Sequence, residues 1–293
     1  MEVFFQSIEG RGGDVTPKEY LDRYTYLKFY SPLNNELISA GISMYGSGWD
    51  FRNGKAGTGQ VMQREHAAFT AALRMAHHGN VNKPCGTKFF FDQQPLGLIQ
   101  PTEDFYATTF IQAFVGKGSP DEIIDTLRLA YAIGRIGTGK DVAGQPCARA
   151  TAQAYATDFI TLDCNGLVGN YYGGSPSASI DAYASTARRR TRIEDIQQGD
   201  VVVTHCAASP YEHIALIDSC TVSGSTANIQ LVEWGWYGGE EVHYSKEAKA
   251  YSIVQGPEKA YGIGWAARSN VKPVDSFRYI FKRPNDEEPH GWS

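Results

Sequence analysis

Cys164 sits where the pattern of the chain changes abruptly, in Thr161-Leu162-Asp163-Cys164-Asn165-Gly166-Leu167-Val168. Before it runs an apolar, extended-looking segment, Asp158-Phe159-Ile160-Thr161-Leu162, and after it Leu167, Val168, Tyr171 and Tyr172 recur at helical spacing. Asp163 and Asn165 flank the sulfur with helix-starting side chains. A cysteine in the first turn of a helix lies at the positive end of the macrodipole, which favours thiolate over thiol. Gly166 leaves room for another backbone or a substrate to approach closely. The same residues also suit a small buried cysteine, the commoner fate of a free thiol.

A cysteine nucleophile needs a base to take its proton and a third group to orient that base. His213 opens the run His213-Ile214-Ala215-Leu216-Ile217-Asp218, a strand-like mount, and is the better candidate base. His205, ending Val201-Val202-Val203-Thr204-His205, is the second. Glu233 lies in the otherwise apolar run Leu231-Val232-Glu233-Trp234, where a charge must be paired or face a cleft. If His213 and Glu233 sit on adjacent antiparallel strands, a Glu233 oxygen can accept from one ring nitrogen while the other faces the sulfur. Trp234, Trp236, Tyr237 and the pair Tyr171-Tyr172 are candidates for the cleft wall and equally for the core. His66 has no histidine four residues away on either side, so a helical His-x3-His metal site is not expected.

The elements that must hold these residues can be read in order. Thr16-Pro17-Lys18-Glu19 and Ser119-Pro120-Asp121-Glu122 both spell a helix start, with an N-cap, a proline at the first helical position and a glutamate at the third. The first helix is expected to run to about Tyr30, a short second one to lie between Asn34 and about Tyr45, and a long one over Val61 to His78. Lys88 to Asp92 reads as a strand, Pro101 to Phe114 as a helix from near Thr102, and Pro146 to Ala156 as helical. Gly134 to Asp141 has the glycine and lysine spacing of a phosphate-binding loop. However, Asp141 stands where Ser or Thr would hold magnesium, and a helix precedes it, so a flexible linker is expected. Beyond Arg192 the pattern turns to short strands, with Ser223-Gly224-Ser225 as a hairpin turn and Phe277 to Lys282 as the last strand. Helices, then a cysteine at a helix start, then an antiparallel meander make an α+β layout.

Composition narrows the partners. The chain has 293 residues, 42% hydrophobic and 20% charged, with a net charge of −5 and no basic stripe, which argues against nucleic acid. The Arg188-Arg189-Arg190 cluster with Arg192 reads as a solvated loop. No apolar run reaches the roughly 18 residues of a membrane span. Five cysteines without a Cys-x-x-Cys pair argue against a structural zinc site. The start, Met1 to Gln6, lacks the basic and apolar regions of a signal peptide. The expectation is a chain that is cytoplasmic as synthesised, or delivered by lysis or a dedicated secretion machine.

The motifs resemble a known family. Asp163-Cys164-Asn165-Gly166-Leu167-Val168 looks like the Asp-Cys-Ser-Gly-Leu/Phe-Val signature of NlpC/P60 cysteine peptidases. Gly199-Asp200-Val201-Val202 and His213-Ile214-Ala215-Leu216-Ile217 look like their Gly-Asp-Leu-Val and His-Val-Gly-Ile-Tyr strands, and Glu233 stands where the third polar residue is found. The resemblance covers roughly Gln145 to Trp236, with the final strand as a further candidate, and says nothing of residues before about Ser119. Asn165 replaces the usual Ser, Glu233 the more usual His, Asn or Gln, and the upstream Tyr-x-x-Gly-Gly motif has no counterpart. Tyr155 is the nearest candidate for the role of that upstream tyrosine, at a different spacing.

What the resemblance implies is a papain-like core, expected in residues 119–293; the helix starts before it are read as a helical N-terminal extension or domain in residues 1–118, on which the resemblance is silent. It implies amide hydrolysis by Cys164, His213 and Glu233 without metal or cofactor, with Asp163, Asn165, Tyr155, Trp234 and Trp236 near the substrate. The substrate class is a peptide or peptidoglycan stem-peptide fragment, as for a lysin or an antibacterial effector, with a delivery or immunity protein as further partner. Two rivals are an acyltransferase or lipid amidase using the same thioester chemistry, marked by an apolar groove, and a catalytically silent binding module.

Overall fold

The computed structural model describes residues 15–46, 51–53, 58–77, 110–206, 209–224, 226–235, 249–254, 264–268 and 275–284. They form a mixed helix and sheet, α+β fold. The chain divides into two compact units. One comprises Asp22–Leu167 and Trp234–Tyr244, and the other Met1–Leu21, Val168–Glu233 and Ser245–Ser293. Helices on both sides of residue 118 belong to the first of these units.

The first helix, α1 (Pro17–Thr25), begins as its capping box dictates. The Glu19 N–H donates to Thr16 Oγ1 at 3.1 Å, and Glu19 Oε2 accepts from the Thr16 N–H at 2.8 Å. It stops five residues before the expected Tyr30, because Leu27–Tyr30 (β1) alternates buried and exposed and pairs antiparallel with Leu37–Ala40 (β2). The short helix expected between Asn34 and Tyr45 is therefore replaced by β2 and by Met44–Tyr45 (β3). Asn35, at φ 58, makes the reversal between β1 and β2. The pairing partner, set by tertiary structure, outweighs local helical spacing here.

The same unit holds α2 (Thr58–His77), α3 (Ile111–Phe114), α4 (Pro120–Ala132) and α5 (Ala152–Phe159). Ser119 closes a second capping box with Glu122. Thr151 caps α5, so the helix expected from Pro146 starts at Ala152. Tyr24, Phe69, Phe110, Phe114 and Leu127 fill the core, with the Phe69 ring 5.9 Å from Phe110 and 5.6 Å from Phe114. His66 meets Phe51 and Phe114 edge-on, and burial pushes its imidazole below the ordinary histidine range. The expected strand at Lys88 to Asp92, and the helix expected from Thr102 as far as residue 109, lie outside the described residues.

Gly134 to Asp141 is not a flexible linker. Arg135 and Asp141 are buried within it. Asp141 Oδ1 accepts from the Ala143 and Gln145 N–H groups at 2.9 and 2.8 Å, and Oδ2 accepts from Arg135 Nη1 at 2.8 Å. Arg135 also holds both oxygens of Glu65 on α2, and the Tyr155 hydroxyl donates to Glu65 at 2.8 Å. The glycines serve a tight turn around an ion cluster, and the aspartate at the end of the motif is the turn's acceptor.

The other unit is built on a closed antiparallel barrel. Its strands are β5 (Val201–Cys206), β6 (Ser209–Ser223), β7 (Thr226–Val232), β8 (Lys249–Val254), β9 (Gly264–Arg268) and β10 (Asp275–Phe281). They close in the order β10-β5-β6-β7-β8-β9. Val202, Ala215, Ile217, Ala227, Ile229, Leu231 and Ile280 form one core cluster with Ile193 and Ile196. The expected hairpin at residues 223–226 is present, with Ser223 paired to Thr226. The arginine cluster is not a solvated loop as a whole. Arg190 is buried and gives Asp200 two hydrogen bonds, at 2.9 and 2.8 Å, and the Arg189 guanidinium lies 4.6 Å from the Tyr279 ring centre. Arg192 alone of the four keeps the expected exposure, beside Glu194 and Asp195.

Candidate active site

Cys164 is the first residue of α6 (Cys164–Tyr171), and short elements fix it there. Thr161–Leu162 (β4) pairs in parallel with β3 two residues before the sulfur. The Asp163 carboxylate accepts from the Gly166 N–H at 2.5 Å and from the Asn165 N–H, and the Asp163 carbonyl accepts from the Leu167 N–H at 3.0 Å. That is an N-cap, typically worth about 1 kcal/mol. It puts Cys164 at the first helical position, where no backbone N–H has an acceptor within its own helix. The cysteine is 5% exposed.

The cap has a counter-ion. Lys117 Nζ lies 2.9 Å from Oδ1 and 2.7 Å from Oδ2 of Asp163. Burial pushes the Asp163 carboxyl above the usual aspartate range, and the Lys117 ammonium and the two cap N–H groups pull against that shift. The loop carrying Lys117 presses on the helix start. Gly116, at φ +79, accepts from the Asp163 N–H at 3.0 Å. A Cβ on Gly166 would come 2.0 Å from the Gly116 oxygen. The close neighbour of Gly166 is thus this backbone.

His213 and Glu233 belong to the barrel unit. β6 and β7 are adjacent and antiparallel, and His213 Nε2 lies 3.0 Å from Glu233 Oε2. Glu233 is 0% exposed, one residue past the end of β7, and the His213 side chain is 16% exposed. The register explains the placement. Ala215, Val202 and Ile280 form one rung across β6, β5 and β10, within the apolar core, and two residues along, His213, Thr204 and Arg278 form the next rung. Residues two apart on a strand share a face, so the polar rung continues the apolar one. Arg278 Nη2 lies 3.4 Å from Glu233 Oε2, so the buried carboxylate meets both a histidine and an arginine.

The remaining residues predicted to lie near substrate have these positions. Tyr155 and Trp234 are both 0% exposed. Tyr155 stacks edge-on with Phe159 and binds Glu65, an interior role. Asp163 and Asn165 are buried at the helix start. Tyr171 packs against Tyr20 and its hydroxyl donates to the Val15 carbonyl at 3.2 Å; the Tyr172 hydroxyl donates to the Gly199 carbonyl. Trp236 and Tyr237 lie outside the described residues, as does the His205 side chain.

The sequence reading missed Lys117 and Arg278. Lys117 carries no local signal, whereas Arg278 was visible as a lone cation in the alternating run Phe277-Arg278-Tyr279-Ile280. Among the described residues no group of three or more His, Cys, Asp or Glu could hold a metal ion, and no helix is long and apolar enough to cross a membrane. No protein-family model, curated protein or solved structure matches the chain.

Proposed function

We propose that the protein is a cysteine hydrolase of amide bonds, with Cys164 as nucleophile, His213 as general base and acid, and Glu233 as the carboxylate that orients the ring. The observation that carries this reading is the 3.0 Å contact between His213 Nε2 and the fully buried Glu233 Oε2. A histidine bound through Nε2 to a buried carboxylate is held in one orientation, and proton transfer to and from the sulfur then runs through Nδ1. The position of Cys164 at the head of α6 supports the other half of the pair.

In the proposed reaction, Cys164 Sγ gives its proton to His213 and attacks the amide carbonyl carbon. The carbonyl π pair moves to oxygen, and the Cys164 N–H, without an acceptor in its own helix, is a donor for that oxyanion. Collapse of the tetrahedral intermediate breaks the C–N bond as His213 protonates the leaving amine, which leaves a thioester. His213 then takes a proton from water, hydroxide adds to the thioester, and the thiolate leaves to be reprotonated. The products are a carboxylic acid and an amine, with one water consumed. The substrate class, a peptidoglycan stem peptide, follows the motif resemblance in Asp163 to Val168 and in the His213 strand.

Digestion of purified cell-wall fragments by the parent chain and by Cys164→Ala tests this. The expected result is cleavage by the parent, with product masses summing to substrate plus one water, and none by the variant at an unchanged unfolding midpoint. Cleavage by Cys164→Ala at the parent rate would remove the cysteine from the chemistry.

A further inference from the structure

We propose that Lys117 is a positioning residue for Cys164, keeping the carboxylate that caps α6 from opposing the cysteine thiolate. The inference rests on the reading of Cys164 as the nucleophile. Asp163 gives the helix an effective cap, but at the cost of a formal negative charge one residue before the sulfur. A negative charge on the residue preceding the sulfur disfavours a thiolate. The helix terminus opposes it with only about half a positive charge.

Lys117 supplies the compensation. Its ammonium is within 2.9 Å of both carboxylate oxygens, and the two side chains are only 13% and 7% exposed, where solvent screens charge poorly. Lys117 is the charged side chain that faces the Asp163 carboxylate among the described residues. Its backbone is fixed as well. The Lys117 N–H donates to the Gln112 carbonyl at 2.8 Å, and the preceding Gly116 carbonyl accepts from Asp163 itself. The cap does not need the charge, because asparagine caps helices about as well as aspartate. The buried Lys–Asp pair therefore sets the charge next to the sulfur as well as the start of the helix.

The test is the rate of iodoacetamide alkylation of Cys164 across pH, read by peptide mass spectrometry so that the other cysteines are counted apart. Lys117→Met is expected to slow alkylation at pH 7.5 by about tenfold, while Asp163→Asn speeds it by about threefold. Lys117→Arg, which keeps the charge, is expected to stay within about twofold of the parent. Opposite signs for the first two variants establish the charge effect, since a merely structural role moves both the same way. Equal signs, no change in either, or a Lys117→Arg rate as low as that of Lys117→Met would overturn it. If Lys117→Met does not fold, Asp163→Asn still decides, because it retains the cap. Alkylation reads the sulfur alone, so this pattern can hold while amide hydrolysis fails, and the reverse.

Discussion

Arg278 and His213 reach the same oxygen of Glu233, at 3.4 and 3.0 Å, from opposite sides of strand β5. The carboxylate therefore has two tasks, orienting an imidazole and balancing a buried guanidinium. Glu233→Gln keeps the shape and removes the charge. Under the proposed hydrolase mechanism, amide turnover is expected to fall by about 10²–10⁴-fold, and stability by about 2 kcal/mol. Progress curves and urea unfolding measure the two separately. Full turnover in this variant would take Glu233 out of the mechanism.

Gly166 faces the Gly116 carbonyl so closely that an added Cβ would stand 2.0 Å from its oxygen. The obstacle is backbone, which cannot rotate away as a side chain can. Gly166→Ala is expected to cost about 3 kcal/mol, at the upper end of ordinary overpacking. The change should appear as a lower urea midpoint with an unaltered denaturant slope.

The Arg190–Asp200 pair, which fastens the segment at residue 190 to the residue that leads into β5, is buried on both sides. Arg190→Met leaves the Asp200 carboxylate short of its counter-ion, and a loss of about 3–5 kcal/mol is expected. The double change Arg190→Met with Asp200→Leu should recover most of that loss. Equal destabilisation in the single and double variants would show that packing rather than charge is at stake.

Asp125 on α4 predicts a pH response. Burial lifts its carboxyl from 3.8 to about 6, with Arg128 pulling back from 3.7 Å. Between these values the folded chain keeps a proton that the unfolded chain has released. Stability attributable to this group is therefore greatest below the lower value, falls as pH rises through the window, and stays reduced above about 6. Asp125→Asn should match the parent at acid pH and exceed it at neutral pH. Urea unfolding at a series of pH values checks this.

Much of the local structure was written in short stretches of sequence. Thr16 with Glu19, and Ser119 with Glu122, mark two helix starts because a cap and its reciprocal partner are three residues apart. Asp163 marks another by a one-sided cap, its carboxylate accepting from the Gly166 N–H, which is why Cys164 could be placed at a helix head. The apolar run of residues 214–217 and the alternation of residues 226–231 likewise show from neighbours alone. What escaped depends on partners remote in the chain. Lys117 lies 46 residues from Asp163, Arg278 lies 45 from Glu233, and Glu65 lies 70 from Arg135. The same limit misled at Gly134 to Asp141, where the glycines read as flexible until Glu65 and Tyr155 supplied the reason for a fixed turn. It also hid the strand character of Leu37 to Ala40, which depends on β1.

The supports of Cys164 bear on how this chain can be dissected. The partner strand of Thr161–Leu162 comes from Met44–Tyr45, and the ammonium beside Asp163 comes from residue 117. Both precede residue 119. A fragment starting there would carry the sulfur, the imidazole and the acid, yet would have discarded the scaffold that shapes the head of α6. Excising the early residues as a dispensable appendage should therefore leave the head of α6 without its lateral strand and without its counter-ion.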